Sequence, residues 1–269
     1  MAIITISRGS YSQGKQVAEK VAHDLGYDCV SRDILLDTSE LFKIPELKLA
    51  RAIHDAPSLL DRFSNGKQRY MAYIEAALLD LFCEDNIVYH GLAGHFFVQQ
   101  IGHALKVRIG ADLAERVRRE AAASRVSEKE ALRILKADDD QRRRWSRWLY
   151  GIDTTDPTLY DLVIQTDQLT AADAADIICA VVRRGCFETS AESKQRLQDL
   201  ALAARVRAAL VDRFTEIQVH AEKGAVGILV KSNAAHPEHL TEQIREIAAR
   251  IRGVTRVAVT LKAISLFND

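Results

Sequence analysis

The chain predicts an open α/β sheet with helices on both faces, followed by a smaller α+β unit of order α-β-β-α-β. Three observations carry that prediction. Short β-branched runs alternate with amphipathic helical stretches from residue 3 to residue 184, which implies parallel strands joined by right-handed crossovers. The loop after the first strand reads G-x-x-x-x-G-K, from Gly9 to Lys15, and leads straight into a helix. Beyond the polar stretch 183–193 the pattern changes to helix, hairpin, helix and strand.

The elements follow in order. "IITIS" (3–7) is a β-branched strand bounded by Arg8-Gly9. In the helix 15–26, Val17, Val21 and Leu25 recur at every fourth residue on one face, and Gly26 is placed to end it. "YDCVS" (27–31) is a second, short strand, and residues 33–84 read as helices interrupted at Pro45, Pro57 and Asn65-Gly66. "NIVYH" (86–90) and "ALKVRI" (104–109) read as buried strands. Two helices follow, 111–124 and 127–149, the second opening on a capping box of Ser127 and Glu130. "YDLVIQT" (160–166) is the fifth strand and 170–184 the closing helix. In such sheets ligands bind at the carboxyl ends of the strands, where the loop after strand one lies.

The second unit has a helix at 195–213, then strands within 216–232 that turn at Lys223-Gly224, a hairpin signal. A helix from Pro237 to Arg252 and a strand over 254–263 complete it. The predicted boundary lies near residue 190, giving units of 1–188 and 195–269 with separate cores.

Composition narrows the function classes. Lys plus Arg and Asp plus Glu both number 37, so no net charge draws the chain to nucleic acid or an anionic membrane. No basic or aromatic stripe supports nucleic-acid binding, and no residue set is singled out as a metal site. Cys29, Cys83, Cys179 and Cys186 have no C-x-x-C spacing and read as buried free thiols of a reducing compartment. With no leader pattern and no apolar run long enough to span a bilayer, the expectation is a soluble, cytoplasmic protein without a transmembrane segment.

The loop carries the chemistry. Its glycines allow a tight turn whose N–H groups converge on phosphate oxygens, the following helix adds its positive end, and Lys15 supplies charge. Gly9, Ser10, Ser12, Gln13, Gly14, Lys15 and Gln16 are therefore the expected nucleotide-binding residues. Gln16 stands where such loops carry the Ser or Thr whose hydroxyl ligates Mg²⁺. A longer amide cannot copy that direct ligand, so phosphate cradling is retained while metal placement is altered.

Two stretches, "ITISRGSYSQGKQVAEKVAHDLGY…VSRDILLDTSELFKI" and "SEKEALRILKADDDQRRRWSRWLYGIDTTDPTLYDLVIQTDQLTAADAADII", resemble the cytidylate-kinase-like family, a branch of the P-loop nucleoside monophosphate kinases, over residues 2–184. The resemblance implies a five-stranded parallel sheet, a monophosphate-binding insertion and a mobile lid. It implies transfer of the γ-phosphoryl group of ATP, with Mg²⁺, to a nucleoside monophosphate such as CMP or dCMP. By position, Lys15 is catalytic and Arg32 and Asp33 lie near the acceptor. In the lid segment Arg143 and Arg147 share a face and are chosen to clamp phosphates, with Arg142 as the alternative. The competing reading makes these arginines i,i+4 partners of Asp139 and Asp140 on a solvated helix, and Trp145 and Trp148 read as packing residues. His90 aligns with an arginine that members of the family place at the acceptor, and cannot make its bidentate fork. The bland alternative is that His90 and His95 are partly buried loop histidines.

The C-terminal unit is similar to a BON domain, on its helix–hairpin–helix order and the Gly253-Val254 step into the last strand. That resemblance implies a protein or phospholipid partner. Two readings of the whole stay open: a nucleoside monophosphate kinase fused to an interaction unit, or a nucleotide-binding regulator that no longer transfers phosphate. A scaffold that binds no nucleotide is the third.

Overall fold

A computed structural model describes residues 2–9, 12–31, 66–91, 94–214, 216–233 and 236–263. The first unit runs β1 (Ile3–Arg8), α1 (Gly14–Leu25), β2 (Asp28–Ser31), α2 (Gly66–Phe82), β3 (Ile87–His90), α3 (Gly94–Phe97), β4 (Ala104–Gly110), α4 (Leu113–Ser124), α5 (Glu128–Tyr150), β5 (Leu162–Gln165) and α6 (Ala171–Arg183). Its five strands pair in the order β2-β3-β1-β4-β5, all parallel. β1 is central because crossovers leave it toward one side for β2 and β3, and the chain returns past it to β4. That reversal puts the loop after β1 at the switch point of the sheet.

Both faces of β1 are covered, so Thr5 and Ser7 are buried along with Ile3, Ile4 and Ile6. Ile4 and Ile6 pack with Val17 and Val21 of α1 and Ile178 of α6, while Ile3 faces α2 and its Tyr73 and Leu78. Tyr89 of β3 lies across Gly91 and Gly94, where an added Cβ would fall 2.5 Å from its hydroxyl oxygen and 2.4 Å from its ring, respectively. Glycine at those positions lets the short α3 sit directly on the sheet, an element the sequence pattern did not announce.

The second sheet is β6 (Ile217–Glu222), β7 (Ala225–Lys231) and β8 (Arg256–Lys262), with β6-β7 antiparallel and β7-β8 parallel. Lys223 and Gly224 hold positive φ of 47° and 86°, the backbone a two-residue hairpin turn needs. α8 (Pro237–Ala249) covers one face through Ile244 and Ala248.

The expectation of cores separate from one another requires a correction at α7 (Ala191–Leu210), which starts earlier than predicted on a capping box of Ser190 and Ser193. One face of α7 puts Leu197, Ala201, Ala204 and Ala208 into the core of the first sheet against α2. The other puts Leu202, Val206 and Leu210 into the core of the second sheet. A helix apolar on two faces is what two cores sharing one helix require. The α2–α7 seam is also crossed by ion pairs: Arg69–Asp212 at 2.7 Å, Glu75–Arg207 at 2.9 Å and Asp80–Arg205 at 2.5 Å. Burial outweighs the guanidinium beside Glu75 and beside Asp80, holding both carboxyls above their ordinary values. These pairs set the register of the seam more than they add stability.

Three further expectations change. Cys29 and Cys186 are exposed, whereas Cys179 is buried and Cys83 half-buried. Ser127 accepts the Glu130 N–H, but the Glu130 carboxylate turns to Arg133 at 2.7 Å, so only half the predicted capping box forms. The helices expected over 33–84 fall within the described residues only from Gly66 onward. Among the described residues no helix is long and apolar enough to cross a membrane.

Candidate phosphate-binding site at the carboxyl edge of the sheet

The loop is fastened at its base. Gly9 donates its N–H to Ile109 O at 3.2 Å, and Ser12 Oγ lies 3.0 Å from Gly9 O and 3.1 Å from Ile109 O. Thr166, just past β5, brings its hydroxyl 3.1 Å from Gly110 O and 3.4 Å from Ser12 O. Ser12 is thus fully buried and turned into the sheet, a clip for the loop rather than a group in its mouth. Ser10 lies outside the described residues.

Gln13 ends the loop at φ 62° without capping α1 by its side chain, and its Oε1 is buried with no hydrogen-bond partner. Non-glycine residues rarely hold that conformation, so the turn is strained where the helix begins. Gly14 follows because a Cβ there would stand 2.7 Å from the Arg8 Cβ. The first turn of α1 contains no acidic residue and, among the described residues, accepts no side-chain cap. Its amide N–H groups and partial positive charge therefore face the loop uncompensated, the arrangement that binds phosphate. Lys15 is exposed and pairs with Glu19 at 3.6 Å. Gln16 is exposed beside it.

A second cation stands at the loop that the sequence reading did not single out. Arg116 of α4 is buried, and its Nη1 lies 3.6 Å from where a Cβ on Gly9 would be. Asp139 of α5 holds it by both oxygens, at 3.2 and 2.8 Å. This replaces the predicted Asp139–Arg143 pairing, and Asp140 pairs with Arg143 at 3.4 Å instead of with Arg144. The available signal was position: α4 begins at the carboxyl end of β4, so its first turns border any ligand of the loop. Arg119, one turn further on, donates to Thr166 O at 2.7 Å and ties α4 to the loop after β5.

The lid arginines divide by face. Leu135, Asp139, Arg142 and Ser146 recur at three- and four-residue steps along the inward side of α5, where Leu135 and Ser146 are buried. Arg143 and Arg147 are turned outward, Arg143 to Asp140 and Arg147 to Asp153 at 2.6 Å. Asp153 accepts the N–H and hydroxyl of Thr155 and then Arg147, which together pull its carboxyl down to about 2. This orders the return after α5. Arg108 of β4 donates to Thr154 O at 2.6 Å, and Tyr160 brings its hydroxyl 3.1 Å from Ser7, fastening that return to the sheet. Trp145 is buried edge-on to Tyr70 at 5.6 Å, a packing position as expected.

On the acceptor side Arg32 and Asp33 lie outside the described residues. His90 is the last residue of β3, in register with Ile6 and Ser31, and is buried rather than carried on a loop. His95 opens α3 and is buried against Tyr160 at 4.8 Å between ring centres. Burial first, then Arg108 and Lys106, pushes its pKa down to about 3, so it is neutral at physiological pH.

A glycine loop leading into a helix at the switch point of a parallel β2-β3-β1-β4-β5 sheet defines an α/β protein with its candidate site at the carboxyl edge of that sheet. The sequence model of the cytidylate kinase-like family, a family of kinase-type transferases, matches residues 3–168, and the chain belongs to that family. Over 102 residues it is 35% identical to the cytidylate kinase of Sulfolobus acidocaldarius, a match covering 38% of this chain and 55% of that relative. The match thus spans about half the length of that protein. In fold it is similar to an uncharacterized protein from Eubacterium ventriosum, with a TM-score of 0.51 at 19% identity over 68% of this chain and 99% of that one.

Proposed function

We propose that this chain transfers the γ-phosphoryl group of ATP to a nucleoside monophosphate of the cytidine type. The observation that carries the reading is the uncapped N-terminus of α1 behind Gly9–Lys15, with Arg116 beside Gly9, in a chain of this family. The donor phosphates lie on the N–H groups of the loop and the first turn of α1. Lys15 and Arg116 carry the charge that moves with the phosphoryl group, and preorganised cations of this kind lower the barrier without covalent chemistry. The inward face of α5 favours Arg142 as the lid cation, with Arg143 and Arg147 left to hold the helix surface. Arg32, Asp33 and His90 remain the proposed acceptor side.

The fit to Mg²⁺ is poor at this loop. Gln16 reaches an ion only through water, and no group of three His, Cys, Asp or Glu residues that could hold a metal occurs among the described residues. No step is therefore assigned to a metal held directly by the protein. When bound, the ion screens the phosphates of the donor.

The C-terminal unit, residues 195–269 with α7 as its shared wall, is read as a BON-like interaction unit for a protein or phospholipid partner. Its α-β-β-α-β order and the φ of 99° at Gly253, where the chain enters the last strand, support that resemblance. A nucleotide-binding regulator is the second reading, favoured by the exposed Gln16 in place of a hydroxyl. Thermal unfolding with ATP or CMP separates both from a scaffold, since a ligand at a hundred times its Kd adds about 2.7 kcal/mol. Transfer of labelled phosphate from ATP to a panel of monophosphates then separates kinase from regulator. Binding without transfer, persisting after Gln16→Ser, would leave the regulator.

A further inference from the structure

A cavity of about 910 Å³ lies between α2, α7 and the two glycine turns of the second unit. It lies away from the loop. α2 runs from Gly66 to Phe82 and feeds the amino end of β3, and Asp80 and Cys83 in the cavity wall sit at that end. The start of α7 is fastened at the same edge, with Thr189 2.6 Å from Asp85 and His103 2.8 Å from Ser193.

The charges in the wall are unevenly matched. Every carboxylate is engaged: Asp80 by Arg205 at 2.5 Å, Asp212 by Arg69 at 2.7 Å, and Asp199 by the Lys223 N–H at 2.7 Å and Gln195 at 3.0 Å. Arg250 and Arg252 line the cavity and make no ion pair or side-chain hydrogen bond among the described residues. The backbone N–H groups of Arg252 and Gly253 likewise make no backbone hydrogen bond there. Gly253 holds φ 99°, and the Nε of Arg205 is buried without a partner. Consecutive unpaired N–H groups in a turn with positive φ, flanked by guanidinium groups, form an anion-binding concavity. Ala201, Leu202, Ala208 and Ile251 give the wall an apolar part beside the polar Tyr73 and Gln198, and the volume is that of a small-molecule site.

We propose that this cavity binds a soluble phosphate ester of nucleoside monophosphate size, its phosphate on the Arg250–Gly253 turn and its flat body on α7. Such a ligand bridges the first unit to the second and is independent of what the loop at Gly9–Lys15 binds.

The test is calorimetric titration of CMP and AMP into the full chain, the Arg250→Ala/Arg252→Ala double variant and Lys15→Ala. Beside any binding on the acceptor side, the proposal expects a further monophosphate binding event that weakens at least about tenfold in the arginine variant and is unchanged in Lys15→Ala. Hydrogen exchange on adding the monophosphate should slow at 250–254 and in α7. Both arginines are unpaired, so the double variant should unfold at the wild-type temperature. A titration in which every binding event is indifferent to the arginine pair, protection that does not reach 250–254, or a large loss of stability in the double variant would each overturn the assignment. So would binding of phosphatidic acid vesicles with no binding of either monophosphate, which would make the turn a lipid contact.

Discussion

The loop after β1 and the α2–α7 seam are built on opposite terms. At the seam three ion pairs join α2 to α7 and the turn after it, and α7 fills two cores at once. At the loop, among the described residues, the first turn of α1 is uncapped, Lys15 has a distant glutamate, and Gln13 is held in a strained turn with a buried, unpartnered oxygen. Packing and ion pairs fix the seam, whereas the proposed donor site sets an exposed cation at the carboxyl edge of a parallel sheet. Substitutions should therefore separate into those that alter phosphoryl transfer at constant stability and those that alter stability at constant chemistry.

The largest separation is expected for Lys15→Ala. It should lower the rate of transfer by about a hundredfold or more, while thermal unfolding of the free chain moves little, because the side chain is exposed. Leu197→Ala should do the reverse. It empties a buried position of the first core and should cost about 2–5 kcal/mol in denaturant unfolding, with kcat retained in the folded fraction. An equal loss of kcat would break the comparison.

Arg116→Ala should reduce kcat by about tenfold, the loss of one charge-assisted contact, and Asp139→Asn by less, since Asp139 acts through Arg116. His95→Gln sharpens the stability side. The folded His95 titrates at about 3 and the unfolded one near its ordinary 6.5, so the unfolded state binds more protons between those values. Stability should therefore fall as pH drops from 6.5 toward 3, and the variant should lose that component of the slope when unfolding is followed across the range. The smallest effect is expected for Arg143→Ala, less than about threefold in kcat, because its partner Asp140 is an exposed neighbour on the same helix. Arg142→Ala should exceed it.

Much of this was legible in the sequence because the signals are local. β-branched runs, the Gly9–Lys15 spacing, the turn at Lys223-Gly224 and the family resemblance of residues 2–184 are read from neighbouring residues alone. What escaped was long-range. Arg116 meets Gly9 across a hundred residues of chain, and nothing adjacent marks it. Asp139 leaves the expected i,i+4 partner because a buried guanidinium on α4 competes better than an exposed one on its own helix. The double role of α7 was hidden for a related reason: a helix apolar on two faces shows no single stripe, so periodicity could not say that two cores claim it. Ser12 looked like a loop hydroxyl, and only the close approach of β4 turns it inward.

The most direct measurement is transfer of labelled γ-phosphate from ATP to CMP and the other nucleoside monophosphates, by the wild-type chain and by Lys15→Ala at equal folded concentration. The account predicts labelled diphosphate product with a cytidine acceptor, reduced by about a hundredfold in the variant. Transfer that is equal in both chains would contradict the loop as the donor site, and no transfer to any acceptor would contradict the kinase.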